Sequence, residues 1–399
     1  MLHKKYFIIL LLIIVVLSCR KNIKSQNNTI HSNNIVKAEE NHVSENKPEK
    51  KKPVSHISPY SFTKGIYLNA YTVASKKFLP ILDSAAAAGI NTVVFDLKNM
   101  NGHIFFKVPL KQEKKGRLKP IVDISSVVNI LHERKMRAVG RIVMFHDQFS
   151  AEQDSTLRPK NKQTKEAWKE SKRRKASWLD PSQPRVQKEL INIIEDAAKS
   201  GIDEIQLDYI RFPTQGNLKN AEFYYEREDS LIALRDSTYE FRNKTDIIEN
   251  FVKKVKKICS KHNIMLTGDI FAIVAWQREA DVKNTGQDIK RLTKYLDAIH
   301  PMIYSSHFAD NFGFRKNVSN EPYYIVFKGT KLTKRYSKPT CRIIPYIQAN
   351  SWKVNYKPAY IYAQIGAVVD AKADGYILWN ASNKYFKTLN WIKEYNNKK

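Results

Sequence analysis

The sequence predicts an α/β protein: a (β/α)8 TIM barrel with insertions on its C-terminal face. Three observations carry that expectation. Short apolar segments that end in polar residues alternate with amphipathic helices, which implies a parallel sheet. Eight such segments lie between Lys64 and the C-terminus, the number that closes a barrel. The turn after the first, "NAYTVASKK", lacks the glycine-rich phosphate motif that an open, doubly wound sheet would place there.

In chain order the predicted strands are GIYLNAY (65–71), TVVFDLKN (92–99), RAVGRIVMF (137–145), EIQLDYIRF (204–212), IMLTGDIFAI (264–273), AIHPMIYSS (298–306), RIIPYIQAN (342–350) and GYILWNAS (375–382). Helices are expected between them. KKFLPILDSAAAAG stops at Gly89, a C-terminal glycine cap, and DISSVVNILHERK opens on a capping Asp123. SQPRVQKELINIIEDAAKSG runs to Gly201, followed by DIIENFVKKVKKICSKH, GQDIKRLTKYLD, PAYIYAQIGAVVDAKADG and FKTLNWIKEY. Residues 146–182 and 213–245 are insertions after the third and fourth strands, and so belong to the face where barrels build their sites. The run KNKQTKEAWKESKRRK (160–175) reads as a solvated helix face that would also attract an acidic glycan.

The N-terminus MLHKKYFIILLLIIVVLSC has a basic start and an apolar run too short for a comfortable span, which reads as a signal peptide over residues 1–18. Cys19 follows a small residue there, as in the lipobox of bacterial lipoproteins, and is the expected lipidation site. Residues 19–60 are rich in Asn, Ser, Lys, Glu and Pro and read as a disordered tether; the barrel domain takes 61–399. The expected partner of this segment is therefore a membrane, through the lipid anchor, on a monomer in the cell envelope. The formal charge of +29 is spread along the chain, and without a zinc-finger, RNA-recognition or basic-zipper pattern it does not argue for nucleic acid. Cys259 and Cys341 sit in separate elements and read as free, buried thiols.

The predicted strand ends form a polar ring: Asn69 and Tyr71; Asp96 and Lys98; His146 and Asp147; Asp208, Tyr209 and Arg211; Asp269; Tyr304, Ser306 and His307; Gln348; Trp379, Asn380 and Asn383. Charges so placed are costly unless paired or used. Asp96 with Lys98, and Asp208 with Arg211, are candidate rim salt bridges. Asp208 and Asp269, on adjacent strands among aromatic residues, suit glycoside chemistry, one as acid and the other as nucleophile or base. Asp96, Lys98, Tyr71, Trp178, Tyr209, Arg211, Tyr304, His307, Gln348, Trp379 and Asn380 are the expected sugar contacts, with Trp178 in WLDP (178–181) either a platform or a core residue. No cofactor is implied. A metal near His146, Asp147 and His307 has weak spacing support, a nucleophilic serine lacks its Gly-x-Ser-x-Gly elbow, and a barrel that binds glycan without cleaving it is the remaining alternative.

Taken in order, GIYLNAYTVAS, NTVVFDLKNMNG, RAVGRIVMFHD, WLDP, DEIQLDYIRFP, TGDIFAIV, DAIHPMIYSSHF, IPYIQA and ILWNAS resemble a bacterial family of glycoside hydrolase domains, an α-amylase-like TIM-barrel family of largely uncharacterised members. The resemblance runs from about Lys64 to the C-terminus. It implies an envelope enzyme acting on a polysaccharide, with Asp208 matching the strand-four nucleophile or base and Asp269 its partner. The chain departs from the family pattern at Ser305, where proline is usual, and at Ala272, where glycine is usual. Those changes bear on loop shape and substrate identity.

Overall fold

The computed structural model describes residues 56–108 and 116–397. The signal-peptide and Cys19 readings, and most of the proposed tether, lie outside these residues. Eight parallel strands close into a barrel: β1 (Thr63–Leu68), β2 (Thr92–Lys98), β3 (Arg137–Val143), β4 (Glu204–Asp208), β5 (Met265–Ile270), β6 (Ala298–Ile303), β7 (Tyr346–Gln348, preceded by Arg342–Ile343) and β8 (Gly375–Trp379). Each pairs with the next, β8 returns to β1, and β7 bridges β6 and β8. Pro345 interrupts the seventh strand because it has no N–H for the ladder, while Ile344 N still donates to Ile299 O.

The helices that cover the barrel are α1 (Phe78–Ala87), α2 (Ile124–Glu133), α3 (Pro184–Ala198), α4 (Lys244–Lys261), α5 (Ile289–Leu292), α6 (Pro322–Tyr336), α7 (Pro358–Asp370) and α8 (Phe386–Asn397). Asp123 caps α2 by accepting from Ser126 N, and Gly89, at φ +75°, ends α1 as expected. Helix α6 is not among those the sequence predicts. Its PYYIVFKGTKLTKRY is rich in β-branched and aromatic residues with a central glycine, so its local helix signal is weak, and packing of Ile325, Val326, Gly329 and Thr333 decides it.

One large apolar layer fills the space between strands and helices. A smaller cluster, including Tyr67, Val94, Val139, Ala298, Ile344, Tyr346 and Ile377, fills the barrel itself. The two insertions brace each other. Lys160–Asn161 pairs antiparallel with Ala221–Glu222, and Asp180 accepts hydrogen bonds from Ser182 N, Ser182 Oγ and Tyr224 N. The expected helix over 160–175 is thus a short strand and turns; Trp168 is drawn inward and its Nε1 donates to Asn217 O. Cys259 and Cys341 are free and buried, and burial pushes each thiol up to about 12.

Candidate active site

At the C-terminal ends of the strands lies a cavity of about 790 Å³, within the range of small-molecule sites. Its floor is ionic. Arg141, from β3, grips Oδ2 of Asp208 with Nε at 3.0 Å and Nη2 at 2.5 Å, and reaches Oδ1 of Asp96 with Nη1 at 2.5 Å. Tyr67 donates its hydroxyl to the other Asp96 oxygen at 2.7 Å. All four side chains line the cavity, and all four are nearly buried.

Local backbone sets this floor. Glu204, Gln206 and Asp208 alternate onto the barrel interior, and Val143 stands opposite Asp208 in the β3–β4 register. The strand stops at Asp208, four residues short of the expected 212. Tyr209 turns into the left-handed region at φ +52°, uncommon for a residue with a side chain, while its N–H donates to Oδ1 of Asp208 at 2.6 Å.

The three carboxyls have different surroundings. Asp208 is held by a guanidinium. Burial would depress the charge on Arg141, but Asp208 and Asp96 outweigh it and keep Arg141 firmly cationic. Burial raises the Asp96 carboxyl, against the pull of Arg141 and Tyr67. At Asp269 burial raises the carboxyl well above its usual range, and the nearby Asp208 charge adds to the rise. Its side-chain partner is the neutral Gln206, whose Nε2 lies 2.9 Å from both oxygens.

The structure gathers Asp96, Asp208, Tyr71, Tyr209, Arg211, Tyr304, His307 and Trp379 on the cavity wall. It places the other expected contacts elsewhere. Asp269 is fully enclosed and tied to Gln206, which in turn donates to Tyr346 Oη. Lys98 does not share Asp96's outlook, because a β-bulge between the two breaks the alternation. Lys98 instead pairs with Asp147 at 2.9 Å and donates to Val143 O. Asp147 is also held by Arg117 at 3.0 Å and caps the helix Gln148–Gln153. Burial alone would raise the Asp147 carboxyl; Lys98, Arg117 and the Ser150 N–H hold it well below the carboxylate range.

Trp178 is buried as a platform for Arg211, 4.7 Å from its ring, rather than for a ligand. Gln348 spends its amide on Ser306 and Asn350, and Asn380 spends its on Ala349, Lys384 and Ser382. Arg211 does not pair with Asp208. It lies over Trp178 and Phe271 and donates to Phe212 O at 3.1 Å. His146 packs on Trp178 and Tyr209, whereas His307 packs on Tyr304 and Trp352, so the suggested metal set does not assemble. Among the described residues no group of three His, Cys, Asp or Glu is placed to hold a metal ion.

Sequence reading missed Arg141, Tyr67, Phe105, Phe271, Arg278, Phe308, Phe312 and Trp352 on the wall. For Arg141 a signal existed. Arg137, Val139, Arg141 and Val143 alternate along β3 beside Glu204, Gln206 and Asp208 on β4, so two arginines face two acids at the same spacing. For the loop aromatics no such periodicity exists.

A family model described as "Putative glycosyl hydrolase domain" matches residues 65–385. Among solved structures, the glycoside hydrolase domain of PgaB (BpsB) from Bordetella bronchiseptica shares the fold at 12% identity and TM-score 0.58, over 82% of this chain and 98% of that one. Alpha-L-fucosidase isoenzyme 2 from Paenibacillus thiaminolyticus matches at 13% identity and TM-score 0.55, over 84% of this chain and 49% of that one. A hypothetical protein from Ruminiclostridium thermocellum ATCC 27405 matches at 26% identity and TM-score 0.42, over 51% of this chain and 96% of that one. No curated protein matches the chain in sequence.

Proposed function

The chain belongs to the glycosyl hydrolase domain family whose model spans its barrel, and from that premise we propose that it cleaves a glycosidic bond of a polysaccharide or oligosaccharide with Asp208 as the working anion. The observation that carries this is the contrast between neighbouring carboxyls. Asp208 is clamped by Arg141 and opens on the cavity, while Asp269, on the adjacent strand, is pushed toward its neutral form. Leu207 pairs with Gly268, so the two acids follow at one level. A carboxyl pushed toward its neutral form beside one clamped by a guanidinium suits an acid next to a base or nucleophile. Asp208 attacks the anomeric carbon or activates a water there, and Asp269 supplies the proton. Trp379, stacked on Tyr67 at 4.1 Å, and Tyr71 offer ring faces to a sugar.

One observation favours a second reading of the acid. Asp96 lines the cavity and Asp269 does not, so Asp96 would then donate the proton, with Asp269 a positioning residue. A panel of aryl glycosides with good and poor leaving groups tests both. Asp208→Asn loses activity on all of them. The variant that removes the acid loses activity on poor leaving groups and keeps it on activated ones, because those need no proton. Asp269→Asn is expected to show that signature; if Asp96→Asn shows it instead, the second reading stands. Asp208→Asn with undiminished turnover ends the proposal, and wild type that binds glycan without turnover makes the chain a binding barrel.

We also propose that the enzyme is held in the cell envelope by a lipid on Cys19, on the motif that precedes it. Mass spectrometry of the mature N-terminus in a bacterial host is expected to find an acylated Cys19. An unmodified Cys19, or a cleavage site elsewhere, removes the anchor.

A further inference from the structure

Four arginines among the described residues are buried: Arg117, Arg137, Arg141 and Arg211. Three of them hold carboxylates. Arg117 pairs with Asp147 and Glu189, Arg137 with Glu204, and Arg141 with Asp96 and Asp208. Arg211 is 8% exposed and pairs with none. A guanidinium taken out of water without a counter-charge is expensive. Its remaining surface opens on the cavity, whose wall it forms.

What holds Arg211 is aromatic. Its guanidinium carbon lies 4.7 Å from the Trp178 ring, 4.7 Å from Phe271 and 5.3 Å from Tyr209. Its hydrogen bonds go from Nη1 to Phe212 O and Thr214 Oγ1, which leaves Nε and Nη2 unassigned. Rings packed around the group hold it in place and leave two of its donors unused, an arrangement that suits a planar anion. Burial pushes the Arg211 guanidinium down, and the charge of the nearby Asp208 offsets this only in part, whereas at Arg117 and Arg141 the carboxylates overcome that push.

A second cation lines the same cavity. Arg278 lies over Phe312 at 5.2 Å, makes no carboxylate contact as short as a salt bridge, and is only partly balanced by the more distant charge of Asp281. Phe271, Ala272 and Ile273 lie on the wall with the two cations. The cavity therefore carries the carboxylates Asp96 and Asp208 against the guanidiniums Arg141, Arg211 and Arg278, and Arg141 alone serves both acids. Tyr67 from β1, whose hydroxyl burial pushes up, and Trp379 from β8 add no charge to this wall.

We propose that the substrate is an acidic glycan, and that a ring carboxylate of uronic-acid type seats against Arg211 with Arg278 closing over it from the rim. This deepens the glycoside hydrolase reading and rests on it for the word substrate, but binding alone can test it. An anion there completes the set of partners that the other buried arginines already have. The abundance of positive charge over the whole chain steers such a ligand in without selecting it.

The test is calorimetric binding to the Asp208→Asn chain, so that no turnover intervenes. The probes are oligogalacturonate, oligoglucuronate and oligomannuronate, each beside its carboxyl-reduced neutral counterpart. At least one acidic oligomer is expected to bind about ten-fold or more tightly than its reduced form. Arg211→Gln and, separately, Arg278→Gln are expected to remove most of that preference. Arg211→Lys keeps the charge but loses the fork, and is expected to recover it only in part. Arg278 is exposed, so its variant stays informative if Arg211→Gln fails to fold.

Lys253→Gln with Lys257→Gln, on the outer face of α4, controls for bulk charge and is expected to change nothing. Equal binding of acidic and neutral forms overturns the proposal, as does binding of none of the six probes. So does a preference that survives both arginine variants and falls with the lysine pair. Turnover of a neutral glycan that neither arginine variant affects overturns the acidic substrate while leaving the hydrolase; acidic binding without turnover by wild type does the reverse.

Discussion

Strands β3 and β4 present the same ion pair twice, at two depths. Near the N-terminal end of the barrel Arg137 donates to Glu204 at 3.0 Å; four residues on, Arg141 donates to Asp208. The deep pair is closed. Glu204 also accepts from Thr267 Oγ1 at 2.9 Å, and Arg137 spends a further nitrogen on Ile57 O. The upper pair is open: Asp208 forms the floor of a cavity, and its arginine is shared with a second acid. One chemical motif thus serves two ends. Where the pair is enclosed by the barrel it orders the fold; where its carboxylate lines a cavity, that carboxylate can react.

The comparison breaks first, and most visibly, at Asp208. Asp208→Asn is expected to reduce kcat/KM on the order of 10⁴-fold or more while the melting temperature stays close to wild type. Glu204→Gln should do the opposite. Removing one partner of a buried pair leaves Arg137 uncompensated, at about 3 kcal/mol of stability, while the folded fraction turns over normally. Chemical denaturation and initial rates on the same samples separate the two. If Glu204→Gln lost activity without losing stability, the deep pair would belong to the site and the two depths would not differ in role.

Acid and base should sharpen the contrast. At Glu204 burial alone would raise the carboxyl, but His300, Arg137 and Thr267 hold it at about 2. Its contribution is therefore complete above roughly pH 4, where the unfolded chain is ionised, and drains as pH falls from about 4 toward 2. Asp269 behaves in the other sense. Burial and Asp208 keep its proton on in the folded protein. The unfolded chain releases that proton near pH 4, so stability declines as pH rises above about 4 until Asp269 ionises in turn. Unfolding free energies from pH 3 to 8 should show Asp269→Asn gaining on wild type as pH rises, and Glu204→Gln approaching wild type as pH falls. A flat difference for Asp269→Asn would mean the folded carboxyl is ionised, and it could not be the acid.

The barrel was legible because each strand carries its own apolar alternation and each helix its own caps, and both are local. Asp208 was legible for a related reason, as a charge at the end of a buried strand. Its true partner was not. Pairing Asp208 with Arg141 requires the register between β3 and β4, and the nearer arginine in sequence, Arg211, was the obvious but mistaken choice. Lys98 shows how one irregularity undoes a face assignment: a single bulge after Asp96 sends it to Asp147. Asp269 alternates inward as expected, yet whether it reaches the cavity depends on Gln206 and its neighbours from other strands. Trp178 was undecided between platform and core because the deciding contact, Arg211, comes from the loop after β4, distant in sequence.

The smallest expected effect lies at the rim, where two aromatic residues differ as the two ion pairs do. Trp379 is stacked on Tyr67, with Arg141 5.5 Å from its ring, so it supports the floor. Tyr71 is 53% exposed, and the ring contact it makes is the edge of Phe105 at 5.4 Å. Trp379→Ala should therefore lower kcat and stability together. Tyr71→Ala removes only a face on which a sugar can rest, worth about 0.5–1.5 kcal/mol. That corresponds to a KM higher by roughly two- to ten-fold with kcat and melting temperature unmoved. A fall in kcat equal to that of Trp379→Ala would place Tyr71 against the reacting sugar. An unchanged KM would mean that the glycan enters along the side of the cavity that Arg211 and Arg278 line.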